Sequence, residues 1–333
     1  MPELPDLVYV RQVLARELAG TRVAKARVGD PTVMRMLIAA PFESVLAGAT
    51  LQLVERRGHF LRFAFDGDRE LIINAMLVGK YRVLAPNEIH GEKDPVALGF
   101  ALTFDDGREL RYLDEKRMGK VYVLKSKDQA RVPVFANLGM DVLSPSFDVK
   151  AFSDLARGRR DQVRVFLMDK SALASIGNAY ADEILFAAGV HPKTMVRQLS
   201  PELLRILFES IQSVLRHAIE VIEARGAPTD VKVRDFLSVR GRDGQPCPRC
   251  STKIRSVRVR DGDACFCPQC QPATRRLFVD WGKLSAAKSE AKAVDSDSVP
   301  TPIAPSPPAE GDKARSRQPS RRSKNPPPET SGS

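Results

Sequence analysis

The sequence lacks long apolar runs, and its cysteines are confined to one short segment. No apolar stretch among its 333 residues approaches the roughly 20 residues that a membrane helix needs, so we expect a soluble protein without membrane partners. Cysteine is absent outside residues 247–270. The start of the sequence lacks a signal-peptide pattern, which makes a disulfide-bonded secreted protein a poor interpretation. We therefore expect a cytoplasmic protein.

Acidic residues are too few to balance the basic ones. The net charge is +11 and the isoelectric point is near 9.6. From Leu284 to Ser333, eight Lys/Arg oppose six Asp/Glu, so this segment carries +2 and leaves +9 of the +11 to the rest of the chain. This balance favours a polyanionic partner, most simply nucleic acid. An ordinary basic surface is the alternative on charge alone.

Four of the five cysteines form two Cys-x-x-Cys pairs. Sixteen residues separate the pair Cys247 and Cys250 from the pair Cys267 and Cys270. Two short turns with this spacing present four thiolates to one tetrahedral Zn²⁺. A redox pair is an alternative, but such pairs normally occur once and within a βαβ pattern, which is missing here. We expect one structural zinc, with Cys265 as a bystander.

The periodicity of the chain changes near residue 133. Before it, alternating apolar and polar residues flank Asp66-Gly67 and Asp106-Gly107, which predict hairpin turns. A single helix precedes these strands. Its apolar face comprises Leu7, Val10, Val13, Leu14 and Leu18.

After a linker, the periodicity becomes helical. The clearest helix has Ser200 as its N-cap and ends at Gly226. Residues 170–183 are predicted as two helices joined at Gly177-Asn178. The second of these helices would begin with free backbone N–H groups, which can bind phosphate. A plain helix–helix corner is the alternative.

The last fifty residues hold nine of the 24 prolines, interspersed with Ser, Ala and charged residues. Too few large apolar side chains remain there to offset the loss of chain entropy, so we predict a disordered tail. Its basic residues between Lys313 and Lys324 either add non-specific DNA affinity or are merely solvated.

The sequence begins Met1-Pro2-Glu3. Removal of the initiator methionine would leave Pro2 as a free secondary amine, which is partly neutral and nucleophilic near pH 7. Attack on a sugar C1′ would give an iminium, and Glu3 could shuttle the proton that ring opening requires. Taken alone, this pair is more typical of a helix cap.

Three segments together resemble the formamidopyrimidine-DNA glycosylase / endonuclease VIII family. The resemblance extends from Pro2 to about Cys270 and follows the order of motifs in that family. The most specific segments are Pro2-Glu3-Leu4-Pro5, Ile176–Leu185 with His191-Pro192, and Gly244–Cys250 paired with Cys267–Gln271.

The resemblance implies an α+β fold. Its expected parts are an N-terminal two-layer β-sandwich with a flanking helix, a helix–two-turn–helix domain, a C-terminal four-Cys zinc finger and a disordered tail. The corresponding ranges are 1–133 for the catalytic sandwich, 134–150 for a linker, 151–235 for the helix–two-turn–helix domain, 236–276 for the zinc finger and 284–333 for the basic, Pro-rich tail.

The resemblance also implies a base-excision-repair enzyme that acts on double-stranded DNA containing a damaged base or an abasic site. Such an enzyme flips the damaged base out of the duplex. Pro2 would displace the base through a Schiff base, and β- and δ-elimination would follow. Asn178 would hold a backbone phosphate, and basic residues of the finger would contact the DNA backbone.

His59 departs from the pattern of the family. A lysine usually follows the Arg-Arg-Gly of the sandwich, where it contacts phosphate near the lesion; here His59 follows Arg56-Arg57-Gly58. Histidine is shorter and mostly neutral at pH 7, so it would bind phosphate more weakly. An acid–base role is one hypothesis for His59, and a structural strand histidine is another.

The residues expected to fill the void left by a flipped base also differ. Leu77 occupies the usual wedge position, whereas Lys116 and Met118 stand where glycosylases for oxidised purines typically carry Arg and Phe. Because a lysine cannot make the planar bidentate hydrogen bonds of an arginine, we expect weaker discrimination among the bases opposite the lesion. Each of the three could also be an ordinary sandwich or hairpin residue.

Two further departures concern the substrate and the finger. In family members that act on oxidised purines, a longer, Gly-rich loop caps 8-oxoguanine, whereas the loop between Gly226 and Val239 is short here. The resemblance therefore implies ring-opened purines, oxidised pyrimidines or abasic sites as substrates rather than 8-oxoguanine. Gly262 replaces the arginine at the tip of the finger. Candidates to take over its DNA contact are Arg258 and Arg260, with Arg255 nearby; an exposed strand face is the alternative.

The leading hypothesis is therefore a nucleoid-associated DNA glycosylase with abasic-site lyase activity, and we expect a monomer. The chief alternative is a non-catalytic relative that binds lesions or distorted DNA. The Pro2-Glu3 pair counts against it, because a scaffold needs no N-terminal imine former. A ribosomal or transcriptional zinc-ribbon factor would explain the cysteines but not this N-terminus.

Overall fold

The protein has a mixed α+β architecture, which confirms the predicted fold class. The computed structural model describes residues 2–89, 97–260 and 262–273. Two β-sheets are followed by a group of helices and then by a four-cysteine hairpin. Within this part of the chain, no helix is long and apolar enough to cross a membrane. The tail predicted for 284–333 lies outside the described residues.

Nine strands form the N-terminal sheets. They are β1 (Val23–Val28), β2 (Met34–Met36), β3 (Leu51–Arg57), β4 (Phe60–Phe65), β5 (Arg69–Asn74), β6 (Lys80–Leu84), β7 (Leu98–Phe104), β8 (Glu109–Leu113) and β9 (Lys120–Lys125). The first sheet has the order β1-β7-β8-β6 and the second β2-β9-β5-β4-β3. Side chains of both sheets enter one apolar core, as expected of a two-layer sandwich.

Both predicted hairpin turns are confirmed. Asp66-Gly67 joins the antiparallel strands β4 and β5, and Asp106-Gly107 joins β7 and β8. Gly67 and Gly107 have positive φ angles of 64° and 85°, which glycine adopts without steric cost.

Seven α-helices and three short 3₁₀ helices occur in the described chain. The α-helices are α1 (Leu4–Leu18), α2 (Phe42–Leu46), α3 (Pro86–Ile89), α4 (Val149–Ala156), α5 (Val163–Leu167), α6 (Asn178–Ala188) and α7 (Pro201–Arg225). The 3₁₀ helices are Pro31–Val33, Ser126–Arg131 and Val196–Gln198.

The longest helix, α7, matches its prediction. Ser200 caps it by accepting a hydrogen bond from the backbone N–H of Leu203, and Gly226 ends it with a φ of 55°. Its apolar face packs into a second core together with α4, α5 and α6.

The predicted helix before Gly177 is wrong. Residues Leu173–Ala174 form a short strand, β11, which pairs in parallel with β10 (Met140–Asp141). Backbone pairing with this distant segment replaces the local hydrogen bonds that a helix would have used, so the tertiary contact overrides the local pattern.

Helix α1 joins the two halves of the fold. Its Leu7 and Leu14 belong to the sandwich core, whereas Leu4 and Val8 belong to the helical core. This double packing holds the N-terminus of the chain at the junction between the sandwich and the helices.

The last two strands of the described chain, β12 (Arg255–Val259) and β13 (Gly262–Phe266), form a small hairpin. Phe186 of α6 packs against the base of this hairpin, in a cluster that includes Cys247 and Cys267. The hairpin is thereby anchored to the helical part of the fold.

Candidate active site

Glu3 lies at the centre of the junction, and only 7% of its surface is exposed. Its carboxylate accepts hydrogen bonds from the backbone N–H groups of Ala179, at 3.0 Å, and Tyr180, at 3.2 Å. These N–H groups belong to the first turn of α6, which favours negative charge. The prediction that this turn offers free N–H groups to phosphate is therefore wrong for Ala179 and Tyr180, because both N–H groups already bind Glu3.

Gly177 makes this close approach possible. A Cβ atom built on it would lie 2.7 Å from Glu3 Cγ and 2.8 Å from Oε1, which is closer than real contacts allow. A glycine at this position is thus required by the packing of Glu3 against the beginning of α6.

The environment of Glu3 suits proton transfer. Burial raises the pKa of its carboxyl group, while the hydrogen bonds from Ala179 and Tyr180 lower it, and the net shift is upward. A carboxyl group with a raised pKa holds its proton closer to neutral pH, as a general acid must.

Asp6 and Arg234 hold Glu3 in place through a chain of hydrogen bonds. The backbone N–H of Glu3 donates to Asp6 Oδ2 at 2.8 Å, and Arg234 Nη1 donates to Asp6 Oδ1 at 2.8 Å. The guanidinium of Arg234 also lies over the ring of Tyr180, 5.3 Å from its centre. The sequence analysis missed both residues; Asp6 was discoverable as part of the N-terminal motif, whereas Arg234 carries no local signal.

Pro2 is buried next to Glu3. It lines a narrow cleft with Gly79 and Tyr81 of the sandwich and with the segment Thr229–Lys232 that follows α7. The Thr229 hydroxyl donates to the Tyr81 carbonyl at 2.6 Å, which holds this segment against the sandwich. Pro2, the predicted nucleophile, therefore lies between the sandwich and this segment, and its sequence neighbour Glu3 is buried at the same junction.

His59 lies in the turn between β3 and β4 and is only 5% exposed. Its ring contacts Phe60, with 4.4 Å between centroids, and Nδ1 has no hydrogen-bond partner among the described residues. Burial, together with the positive charge of Lys170, lowers the pKa of His59 to about 4. A neutral, buried imidazole is poorly suited to hold phosphate by charge; the catalytic role of His59 stays a prediction.

Leu77 and Met118 lie in neighbouring loops. Asn74 pairs with Lys120 at the end of the β5–β9 ladder, so the loop after β5 and the loop before β9 leave the sheet at the same edge. Leu77 is 45% exposed and Met118 is 40% exposed, which is unusual for large apolar side chains.

Lys116 is exposed in the loop of Met118, and its backbone N–H donates to Asp114 at 3.1 Å. The structure thus brings these three predicted DNA contacts to one edge of the sandwich.

Asn178 and the tip of the finger form a second group. Asn178, the first residue of α6, is exposed, and its Oδ1 accepts a hydrogen bond from Arg164 Nη2 at 2.8 Å. Arg260 reaches Asp161 at 3.1 Å, and Arg258 lies 3.9 Å from Asp263 across the hairpin. All three predicted DNA contacts are therefore accessible, although both arginines have acidic neighbours.

The four predicted metal ligands cluster at the base of the finger. The Sγ atoms of Cys247, Cys250, Cys267 and Cys270 all lie within 4.8 Å of one another, with Cys250 and Cys267 at 3.4 Å and Cys247 and Cys270 at 3.9 Å. Tetrahedral Zn²⁺ with bonds of about 2.3 Å separates its sulfur ligands by roughly 3.8 Å, whereas a disulfide requires about 2.05 Å. These thiolates fit zinc, and Cys265 is not among them.

Comparisons with known proteins agree with this geometry. Residues 1–121 match the model of the formamidopyrimidine-DNA glycosylase N-terminal domain. Residues 138–227 match the formamidopyrimidine-DNA glycosylase H2TH domain, and residues 244–273 match the zinc finger found in FPG and IleRS.

Two curated relatives match over nearly their whole length. The formamidopyrimidine-DNA glycosylase of Symbiobacterium thermophilum is 34% identical over 278 residues, which cover 82% of this chain and 90% of that protein. The one of Salinispora arenicola is 35% identical over 292 residues, which cover 84% of this chain and 99% of that protein.

Solved structures of Lactococcus lactis Fpg are also similar. Its complex with DNA containing an abasic site has a TM-score of 0.72 and 25% identity, and covers 81% of this chain and all of that one. Its complex with DNA containing an oxidized pyrimidine has a TM-score of 0.72, 26% identity and 82% coverage of this chain.

The sandwich, the H2TH helices and the zinc finger together define a DNA glycosylase of base excision repair. The chain belongs to the formamidopyrimidine-DNA glycosylase family. The predicted enzyme class, a DNA glycosylase and abasic-site lyase, and the one structural zinc are confirmed by this membership and by the four-cysteine cluster.

Proposed function

We propose that this protein removes a damaged base from duplex DNA and then cleaves the abasic strand, with Pro2 as nucleophile and Glu3 as proton carrier. The single observation that carries this proposal is the buried Glu3 carboxylate, bound to the first turn of α6 directly beside Pro2. The substrate class is supported by the relatives, because Lactococcus lactis Fpg has been solved with abasic-site DNA and with damaged-base DNA.

The chemistry begins once Met1 has been removed. The lone pair of the Pro2 nitrogen attacks the sugar C1′, the glycosidic bond breaks, and the base departs with its bonding electrons and takes up the proton that the Pro2 nitrogen releases. The proton on Glu3 goes to the ring oxygen O4′, the C1′–O4′ bond breaks, and an iminium forms between Pro2 and C1′.

Elimination follows from the iminium. Its positive charge acidifies the C2′ proton, and loss of that proton to a base expels the 3′-phosphate. A second elimination expels the 5′-phosphate, and hydrolysis releases the sugar remnant from Pro2. The ionised Glu3 left by ring opening stands beside the reacting sugar as a proton acceptor.

The segment after α7 supports a ranking of the lesions. Tyr9 donates to the Ala227 carbonyl at 2.6 Å, and Thr229 donates to the Tyr81 carbonyl at 2.6 Å. These bonds hold the short segment close to the sandwich and leave little chain to cap a base. We therefore rank 8-oxoguanine below ring-opened purines, oxidised pyrimidines and abasic sites as substrates.

Borohydride trapping on abasic-site duplex DNA tests the proposal. The protein without Met1 should form a covalent adduct, whereas Pro2→Gly and a form that retains Met1 should form none. Glu3→Gln should trap far more slowly than Glu17→Gln, a control on the same helix whose carboxylate lies near the surface. Binding of abasic DNA without any trapping would contradict the lyase proposal and indicate a non-catalytic DNA-binding relative.

A base-release panel tests the lesion ranking. Duplexes that contain a ring-opened purine or an oxidised pyrimidine should lose the damaged base faster than a duplex that contains 8-oxoguanine. Excision of 8-oxoguanine at an equal or higher rate would overturn the ranking without affecting the proposed chemistry.

A further inference from the structure

An electropositive cavity of about 810 Å³ lies beside the beginning of α6. It is bounded by the chain before α5, by α5 itself and by the tip of the finger. Four arginines and two aspartates are among the residues that line it. The lining residues that matter below are Arg164, Asn178 and Gly262.

Arg164 presents a buried guanidinium to this cavity. Its residue surface is only 2% exposed. Nε donates to Asp182 Oδ1 at 2.7 Å, and Nη2 donates both to Asn178 Oδ1 at 2.8 Å and to the Asp263 carbonyl at 3.2 Å. One side chain of α5 thereby connects the first turn of α6 to the finger.

Arg164 shares its carboxylate partner with a second arginine. Asp182 is fully buried, and it is shared between two guanidinium groups: Arg164 contacts Oδ1, and Arg240 Nη1 contacts Oδ2 at 2.8 Å. Because Asp182 is divided between two guanidinium groups, Arg164 does not have this carboxylate to itself, and in a partly buried place its interaction with an anion is strong.

Arg164 also sets the orientation of Asn178. Because Asn178 Oδ1 accepts the hydrogen bond from Arg164, its amide nitrogen, which carries two donor hydrogens, is the end that remains available to the exposed side. An amide held in this way offers donors to an anion and turns its acceptor inward.

Gly262 leaves the space next to Asn178 and Arg164 unfilled. A Cβ built on Gly262 would lie 3.6 Å from Asn178 Oδ1 and 3.8 Å from Arg164 Nη1. Since glycine has no side chain, Gly262 itself covers neither group, and both are within reach of a ligand that enters between the finger and α6.

We infer that Arg164 is a further phosphate contact: it supplies a positive charge to the backbone phosphate already expected at Asn178, and it positions the Asn178 amide toward that phosphate. The guanidinium of α5 supplies the positive charge that the tip of the finger does not carry. This inference rests on the proposed function, since it assumes that damaged duplex DNA lies across the finger and α6.

The salt dependence of binding tests the inference. Arg164→Gln should raise the Kd for abasic-site duplex DNA about tenfold or more and reduce the slope of log K against log salt by about one, the value for one lost phosphate contact. Arg240→Gln is the matched control, because Arg240 also contacts Asp182 and the Asp263 carbonyl but not Asn178. It should leave the slope unchanged; equal losses in both variants would overturn the inference and indicate a structural role.

A second pair of variants leaves the buried network intact. The space around Gly262 admits a Cβ at ordinary contact distance. Gly262→Glu would place a carboxylate where the phosphate is inferred to lie, and it should weaken binding at least about tenfold relative to its neutral match, Gly262→Gln. Equal affinity of the two variants at low salt would overturn the inference even if Arg164→Gln fails to fold.

Borohydride trapping by the unaltered protein distinguishes a failure of the inference about Arg164 from a failure of the proposed function. If it traps abasic DNA while Arg164→Gln keeps its affinity and salt slope, only the inference about Arg164 fails. If it neither binds nor traps such DNA, the proposed function fails.

Discussion

Gly177 packs directly against the carboxyl group of Glu3, leaving no room for even a methyl group between them. A Cβ on Gly177 would lie 2.8 Å from Glu3 Oε1. The beginning of α6 and the N-terminus of the chain are thus shaped for each other, and the position of the proposed proton carrier depends on a residue that performs no chemistry.

Gly177→Ala should therefore reduce cleavage of abasic-site DNA about a hundredfold, because a displacement of about 1 Å at a reacting group can cost that much. Single-turnover kinetics would measure the loss, and thermal unfolding would verify that the variant is folded. The double variant with Glu3→Gln should be no slower than Glu3→Gln alone, since both changes act through one carboxylate. Additive losses would contradict this relationship.

His59 should make stability depend on pH. Its pKa is about 4 in the folded protein and about 6.5 in an unfolded chain. The unfolded state therefore binds the proton first as pH falls, so the stabilisation is fully present above about pH 6.5 and is lost toward pH 4. Between pH 7 and 4.5 the loss from this residue amounts to about 2.5 kcal/mol.

Urea unfolding at both pH values would measure this loss. The free energy of unfolding of His59→Gln should fall less than that of the unaltered protein over this interval, by about the same 2.5 kcal/mol. Parallel pH profiles for the two proteins would show that His59 does not titrate as its burial and the nearby Lys170 require.

Zinc should depend on Cys267 and not on Cys265. Cys267→Ser removes one of the four clustered thiolates, so it should abolish stoichiometric zinc binding and weaken DNA binding at least about tenfold, because structural zinc supplies the folding energy of small fingers. Metal analysis and DNA titration would measure both effects.

The control for zinc is Cys265→Ala. Cys265 uses its backbone N–H to contact Asp182, and its thiol is outside the cluster, so this variant should retain its zinc. Loss of zinc from both variants would contradict the assignment of the ligands.

Leu77 should matter for base removal more than for strand cleavage. A wedge is needed to stabilise the duplex after the base has left it, whereas an abasic site has no base to expel. Leu77→Ala should therefore slow excision from a damaged-base duplex about tenfold or more, relative to its effect on abasic-site cleavage.

Leu53→Ala offers a matched control for the wedge. Leu53 is 42% exposed, close to the 45% of Leu77, but it lies on the edge strand β3. It should leave both rates unchanged. Similar losses in the two variants would argue against a specific wedge.

Local signals explain the parts of the fold that could be predicted. The caps at Ser200 and Gly226 act within a few residues of the helix they delimit, and the turns at Asp66-Gly67 and Asp106-Gly107 depend on their own backbone angles. The segment before Gly177 could not be predicted in this way, because its strand forms only by pairing with Met140–Asp141.

The sequence by itself determined the elements whose chemistry is local: two Cys-x-x-Cys pairs for one zinc, a proline and a glutamate at the N-terminus, and helices with their own caps. Only the tertiary structure decided which groups meet. Glu3 binds the N–H of Ala179 across 176 residues, and Arg164 reaches the Asp263 carbonyl across 99. Such contacts depend on how α1, α6 and the finger pack together, and spacing along the chain carries no information about that packing.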